Sequence, residues 1–217
     1  MKLTDLMPDI YTLIPYSYDI IQNDVFDSII EQELSRAQPV TTPFFHQISG
    51  IPGSGKSTFC AHFLHKNPSF SYISFDKIME SIPSYSQDII KKGSAEAFKN
   101  WEIPARIIGY EILKRLIEKK ANILLEHSGV NEPHLHLCKN IKQLSYTTTI
   151  CFLMCDKKIA LKRTKERECL THRHTPESLI EQRALSIVQY AQKYTKIADK
   201  IECWDTSKDK LAQIKLF

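Results

Sequence analysis

Eight consecutive residues, Gly50-Ile51-Pro52-Gly53-Ser54-Gly55-Lys56-Ser57, satisfy the spacing G-x-x-x-x-G-K-[ST] at every fixed position. That spacing grips a polyphosphate. The glycines let the backbone curl into a nest whose N–H groups converge on an anion, and a helix that follows adds the positive end of its dipole. Gly50, Gly53, Ser54 and Gly55 form the nest, Lys56 reaches the β- and γ-oxygens, Ser57 ligates Mg²⁺, and Thr58 belongs to the same nucleotide-binding set. The expected ligand is a nucleotide triphosphate, ATP with Mg²⁺.

Transfer of a phosphoryl group also needs a proton acceptor and cations. Asp76 follows the strand-like run Phe70-Ser71-Tyr72-Ile73-Ser74-Phe75, where a carboxylate can accept the proton of an attacking hydroxyl. It is the leading general base, and an N-cap role for a following helix is compatible with that work. Glu126 closes the run Ala121-Asn122-Ile123-Leu124-Leu125 in the analogous place, suited to hold a substrate hydroxyl or a Mg²⁺-bound water, or simply to end a strand. Arg163, Arg167 and Arg173 stand in a charged stretch, the first two spaced to share a helix face. A mobile lid could bring such guanidinium groups onto a γ-phosphoryl group, and a solvated helix face would carry the same residues. His127, His134, His136 and Cys138 lack the second ligand pair of a zinc site, which favours structural or surface roles. Trp101, Tyr72 and Phe75 read as core aromatics rather than base-stacking platforms.

These residues need elements to position them. Pro43 to Ser49 reads as a buried strand before the phosphate loop, and Ser57 to His65 as a helix with Phe59, Ala61, Phe63 and Leu64 toward a sheet. Residues 10–37 repeat apolar side chains at helical steps, giving an N-terminal helical extension within 1–42. Pro83 breaks the chain, Pro104 opens a helix from about Ile103 to Lys120, and Thr147–Met154 and Lys200–Trp204 supply further strands. Strands alternating with helices predict an α/β domain, 1–217, with a parallel, doubly covered sheet, ligands at the carboxyl ends of its strands, and a candidate lid over 157–183.

Composition is that of one folded domain: 217 residues, 42% hydrophobic, 25% charged, net charge +4. So modest a charge, without a basic run, suits small anionic substrates and argues against a nucleic-acid track. The N-terminus lacks the apolar core of a secretory signal, and no stretch has the apolar length of a membrane span. Six scattered cysteines without a C-x-x-C pair point to reduced thiols and a cytoplasmic, bacterial location; passage into a host cell by a signal that leaves no local trace stays open.

In the order of its motifs the chain resembles the zeta toxin family of phosphate-loop kinases. The resemblance rests on Gly50 to Ser57, the strand leading to Asp76 with Pro83 beyond, the long helix, Ile123-Leu124-Leu125-Glu126, and the Arg163 to Arg173 section followed by Thr175-Pro176, and it covers about residues 20 to 205. It implies a three-layer kinase-like sandwich with an arginine-rich lid. It further implies transfer of the γ-phosphate of ATP to the sugar of UDP-N-acetylglucosamine, which poisons wall synthesis, with an antitoxin or host protein as a partner. By position Asp76 would be the base, Lys56 and an arginine would stabilise the moving group, and Glu126 would help hold the acceptor. The chain departs from the family where Ile82-Pro83 replaces a His-Pro pair and Glu126-His127-Ser128-Gly129 replaces Glu-Gly, both in the region that meets the acceptor. A kinase of another acceptor (a nucleoside, sugar or host metabolite) and a nucleotide-binding interaction module are the alternatives.

Overall fold

Every strand that leads to a candidate residue lies in one sheet. The computed structural model describes residues 1–208 and 211–215. Among them, β1 (Phe44–Gly50), β2 (Ser71–Ser74), β3 (Ile123–Glu126), β4 (Thr147–Met154), β5 (Lys200–Asp205) and β6 (Ala212–Gln213) pair in the order β2-β3-β1-β4-β5-β6. The first five strands in that order are parallel, and β6 closes the edge antiparallel to β5. β1 is followed by β2 on one side of it, whereas β3 is followed by β4 on the other. The chain therefore reverses direction at β1, and a crevice opens beyond its carboxyl end.

Alternation of side chains divides the sheet into two apolar faces. The register puts Phe45, Ile123, Leu125, Ile150 and Phe152 on one face, and Ile48, Leu124, Cys151 and Leu153 on the other. The first face joins the larger core, which includes Ile108 and Leu113 of helix α6 and Leu137 and Ile141 of helix α7, defined below. The second is covered by α3 (Lys56–Lys66) through Cys60, Phe59, Phe63 and Leu64. Helices on both faces of a mostly parallel sheet give the expected three layers.

The remaining elements differ in places from the sequence expectations. Residues 10–37 are not one helix: after a short α1 (Leu3–Leu6) come two 3₁₀ turns, Ile10–Thr12 and Tyr18–Ile20, and then α2 (Asp24–Ser35). Pro8 and Pro15 break continuous helix there, and Asn23 caps α2 by accepting from the Phe26 N–H at 3.0 Å. The second strand stops at Ser74, and α4 (Phe75–Ser81) begins at once, so Asp76 stands in a helical first turn rather than on a strand end. The break expected at Pro83 is one extended residue, Ile82, between α4 and α5 (Pro83–Lys92), and Pro83 itself starts α5, whose first turn tolerates a missing N–H. Helix α6 runs from Ser94 to Glu118 with Pro104 inside it, next to the buried Ala105. Of the residues expected to face the sheet from α3, Ala61 is exposed and Cys60 takes its place. The chain continues through α7 (Glu132–Gln143), α8 (Lys157–Thr171) and α9 (Glu177–Tyr194). The candidate lid, 157–183, is thus α8, a short connector and the start of α9. No described helix is long and apolar enough to cross a membrane.

Candidate active site

The crevice beyond β1 holds a cavity of about 350 Å³, and the phosphate loop forms its floor. Gly53 and Gly55 have φ of +81° and +86°, conformations that cost a side chain strain. At Gly53 there is also no room: a Cβ would fall on the carbonyl oxygen of Ala160 in α8. Gly55 occupies the N-cap of α3 without a side-chain cap, and the first helical bond there is Phe59 N–H to Gly55 O at 3.0 Å. The N–H groups of Lys56, Ser57 and Thr58 therefore lie ahead of the hydrogen-bonded ladder, as an anion site requires. The Ser54 hydroxyl is buried in the loop without a partner. A concave backbone, free N–H groups and an orphaned hydroxyl fit a polyphosphate.

Lys56 folds over this loop, its Nζ donating to Gly50 O at 2.9 Å and to Ile51 O at 3.0 Å. Burial draws its ammonium down to about 8, against the pull of the nearby Glu126 carboxylate. Ser57 donates through Oγ to Glu126 Oε1 at 2.8 Å, and the Tyr72 hydroxyl donates to the other carboxylate oxygen. Glu126 is buried and shares the cavity lining with Asp76, whose side chain is 42% exposed. The two carboxylates and the loop thus border one space.

All three arginines of the candidate lid reach that space, each held differently. Arg163 donates to Thr206 O at 2.9 Å, and Arg167 to Thr175 Oγ1 at 2.6 Å. Arg173, from the connector between α8 and α9, pairs with Asp76 Oδ2 at 2.9 Å and lies 3.7 Å from Glu80. The Nε atoms of Arg167 and Arg173 are buried without partners, and burial lowers the Arg167 guanidinium below its ordinary range. Two further arginines line the cavity, Arg106 of α6 and Arg183 of α9. Arg106 pairs with Glu102; Arg183 has no hydrogen-bond or ion-pair partner among the described residues, and burial with the neighbouring Arg106 charge brings it to about 10. Sequence reasoning enclosed Arg183 within the lid boundary without marking it. No signal in the sequence marks it, because its place at the site comes from α9 returning over the cavity.

The histidines first weighed as ligands are spread through other contacts. His134 bonds the Tyr110 hydroxyl at 2.9 Å and Gln47 at 3.3 Å, His127 stacks on it at 3.8 Å, and His136 pairs with Asp9. His127 nevertheless lines the cavity, and Phe75 and Tyr72 also stand at the site.

The sequence model of the zeta toxin family matches residues 28–213. Among solved structures, a chain of the PezAT chromosomal toxin–antitoxin system of Streptococcus pneumoniae is similar with a TM-score of 0.69 at 14% identity, over 89% of this chain and 80% of that one. A chain of the AvrRxo1-ORF1:AvrRxo1-ORF2 complex with sulphate ions gives a TM-score of 0.69 at 11% identity. The same complex with ATP gives 0.66 at 11% identity. Both matches to that complex cover 88% of this chain and only 65% of the other. At such identities the likeness is one of fold. No curated protein sequence matches the chain.

Proposed function

The chain belongs to the zeta toxin family, a family of kinases, and on that premise we propose that it moves the γ-phosphoryl group of MgATP to a hydroxyl of a small molecule, with a nucleotide sugar such as UDP-N-acetylglucosamine as the leading acceptor. One observation carries the reading: the phosphate loop, Asp76, Glu126 and five arginines border a single cavity. The MgATP complex supplies the phosphoryl group and a cation that shields its charge. The chain's residues do the rest. The nest from Gly50 to Thr58 binds the phosphates, Lys56 leaves its loop carbonyls for the β- and γ-oxygens, and Ser57 offers a hydroxyl to the cation. Asp76 accepts the proton of the acceptor hydroxyl once Arg173 releases it. Phosphoryl oxygens, which bear more charge than one carboxylate, draw Arg173 across. Arg163, Arg167 and Arg183 add positive charge around the same space, and closure of α8 and α9 keeps out water that would divert the phosphate. Glu126, with His127 and Ser128 beside it, faces the acceptor. A chain of similar fold comes from a toxin–antitoxin system, and a protein antitoxin is the partner this reading expects.

The test is incubation of the purified protein with labelled ATP and a panel of sugar nucleotides, nucleosides and sugars, followed by mass spectrometry. One panel member should gain a single phosphate, and Asp76→Ala should lower that rate by about 10²- to 10⁴-fold with the fold retained. A panel left unphosphorylated, or an Asp76→Ala variant as fast as its parent, would reject the respective claim.

A further inference from the structure

Tyr72 takes no part in the transfer proposed above, yet its hydroxyl holds Glu126. Parallel pairing of β2 and β3 sets Tyr72 beside Leu124 and Ser74 beside Glu126. Tyr72 and Glu126 therefore project from the same face of the sheet, one diagonal step apart, and that face is the one covered by α3, which carries Ser57. The Tyr72 hydroxyl donates to Glu126 Oε2, while Ser57 Oγ donates to Oε1 at 2.8 Å. One buried carboxylate is thus clamped between two hydroxyls.

The consequence lies at Ser57. A hydroxyl that gives its only proton to a carboxylate keeps its lone pairs free for a cation. Ser57 and Glu126 both line the cavity. Removing the Tyr72 donor would leave a buried carboxylate oxygen unsatisfied and free Glu126 to rotate away from Ser57. The rest of Tyr72 has other work: its ring packs with the α3 core and lies 5.0 Å from the Lys77 ammonium, contacts that phenylalanine keeps.

We propose that Tyr72 is a positioning residue for the metal ion: through Glu126 it orients the Ser57 hydroxyl, and so sets how tightly a divalent cation is held on the bound nucleotide. This rests on the kinase reading, and the experiment separates the two. ADP binding is measured by calorimetry with and without Mg²⁺ for the parent chain, Tyr72→Phe, Glu126→Ala and the double variant. Tyr72→Phe should leave Mg²⁺-free ADP binding unchanged and weaken Mg²⁺ in the ternary complex by about tenfold, the lower end of what residues that hold metal ligands in place contribute. In the Glu126→Ala background the same change should add no further loss, because the residue it acts through is gone. Parental Mg²⁺ affinity in Tyr72→Phe, an equal loss without Mg²⁺, or additive losses in the double variant would each overturn the assignment. A parent chain that binds no ADP under either condition would overturn the kinase reading itself, and this one with it.

Discussion

Lys56 shows how much a single residue's surroundings prescribe. Its ammonium bonds two carbonyls of its own loop, and burial brings its protonation down to about 8 from an ordinary value near 10.5. A base held below its ordinary range loses its proton earlier as pH rises. Between about 8 and 10.5 the folded, empty site is neutral at Lys56 while the unfolded chain would still be charged. The cation is fully present only below about 8, so an anionic nucleotide should bind more tightly there. ADP affinity measured at pH 7 and pH 9 should fall by about tenfold, since one unit above its midpoint about a tenth of the ammonium remains. Lys56→Arg, whose guanidinium stays charged throughout, should flatten that dependence. An equally steep fall in Lys56→Arg would place the titrating group elsewhere. The other residue-scale constraint is the pair between Arg173 and Asp76: while it lasts, one Asp76 oxygen is occupied and Arg173 is absent from the phosphates.

At the scale of elements, the phosphate loop packs directly on the first turn of α8. Gly53 sits against the Ala160 carbonyl so closely that any Cβ there displaces the loop or the helix, whereas Gly55, with a similar φ, has nothing within 4 Å of an added Cβ. Gly55→Ala should therefore cost only backbone strain, about 1–2 kcal/mol. Gly53→Ala should cost that and the clash, lowering the thermal midpoint further and weakening ADP binding; equal midpoints for the two variants would show that α8 yields freely. Elements also mark what the sequence made legible. Thr147–Met154 could be read because a largely buried parallel strand is a run of β-branched and apolar residues, and Gly50 to Ser57 because its backbone demands fixed residue types. Residues 10–37 were legible only in part: the apolar repeat running through Leu34 masked the two 3₁₀ turns on either side of Pro15, a proline the sequence displays. Asp76 was found but put on a strand end, because Phe75 suits a strand by propensity and starts a helix here through its packing on Tyr110 and His127. Tyr72 and Arg183 were out of reach as site residues: their meaning comes from contacts between β2 and β3, and from α9 returning over the cavity.

For the whole molecule, the N-terminal layer is part of the core rather than an arm laid on it. Leu6, Met7, Ile10 and Ile14 are each no more than 2% exposed, and Tyr18 is also buried. The layer is stitched to α6 and α7. Asn140 of α7 donates to Leu6 O at 2.9 Å, His136 of α7 pairs with Asp9, and Arg106 of α6 reaches Leu13 O at 3.5 Å. Arg106 also lines the cavity, so the first 20 residues brace a wall of the site although they precede the part matched by the family model. Re-exposing those five side chains would cost about 1.5–3 kcal/mol each, a sum comparable with the 5–15 kcal/mol that holds a typical domain together. Deleting residues 2–20 should therefore give an unfolded or aggregating protein, seen as loss of the cooperative thermal transition. The milder Ile10→Ala should lower stability by about 2–5 kcal/mol in urea titration while the folded fraction keeps parental ADP affinity. A detachable partner-binding arm makes the opposite forecast: the deletion would leave the thermal midpoint in place, and Ile10→Ala would leave the urea midpoint where the parent has it.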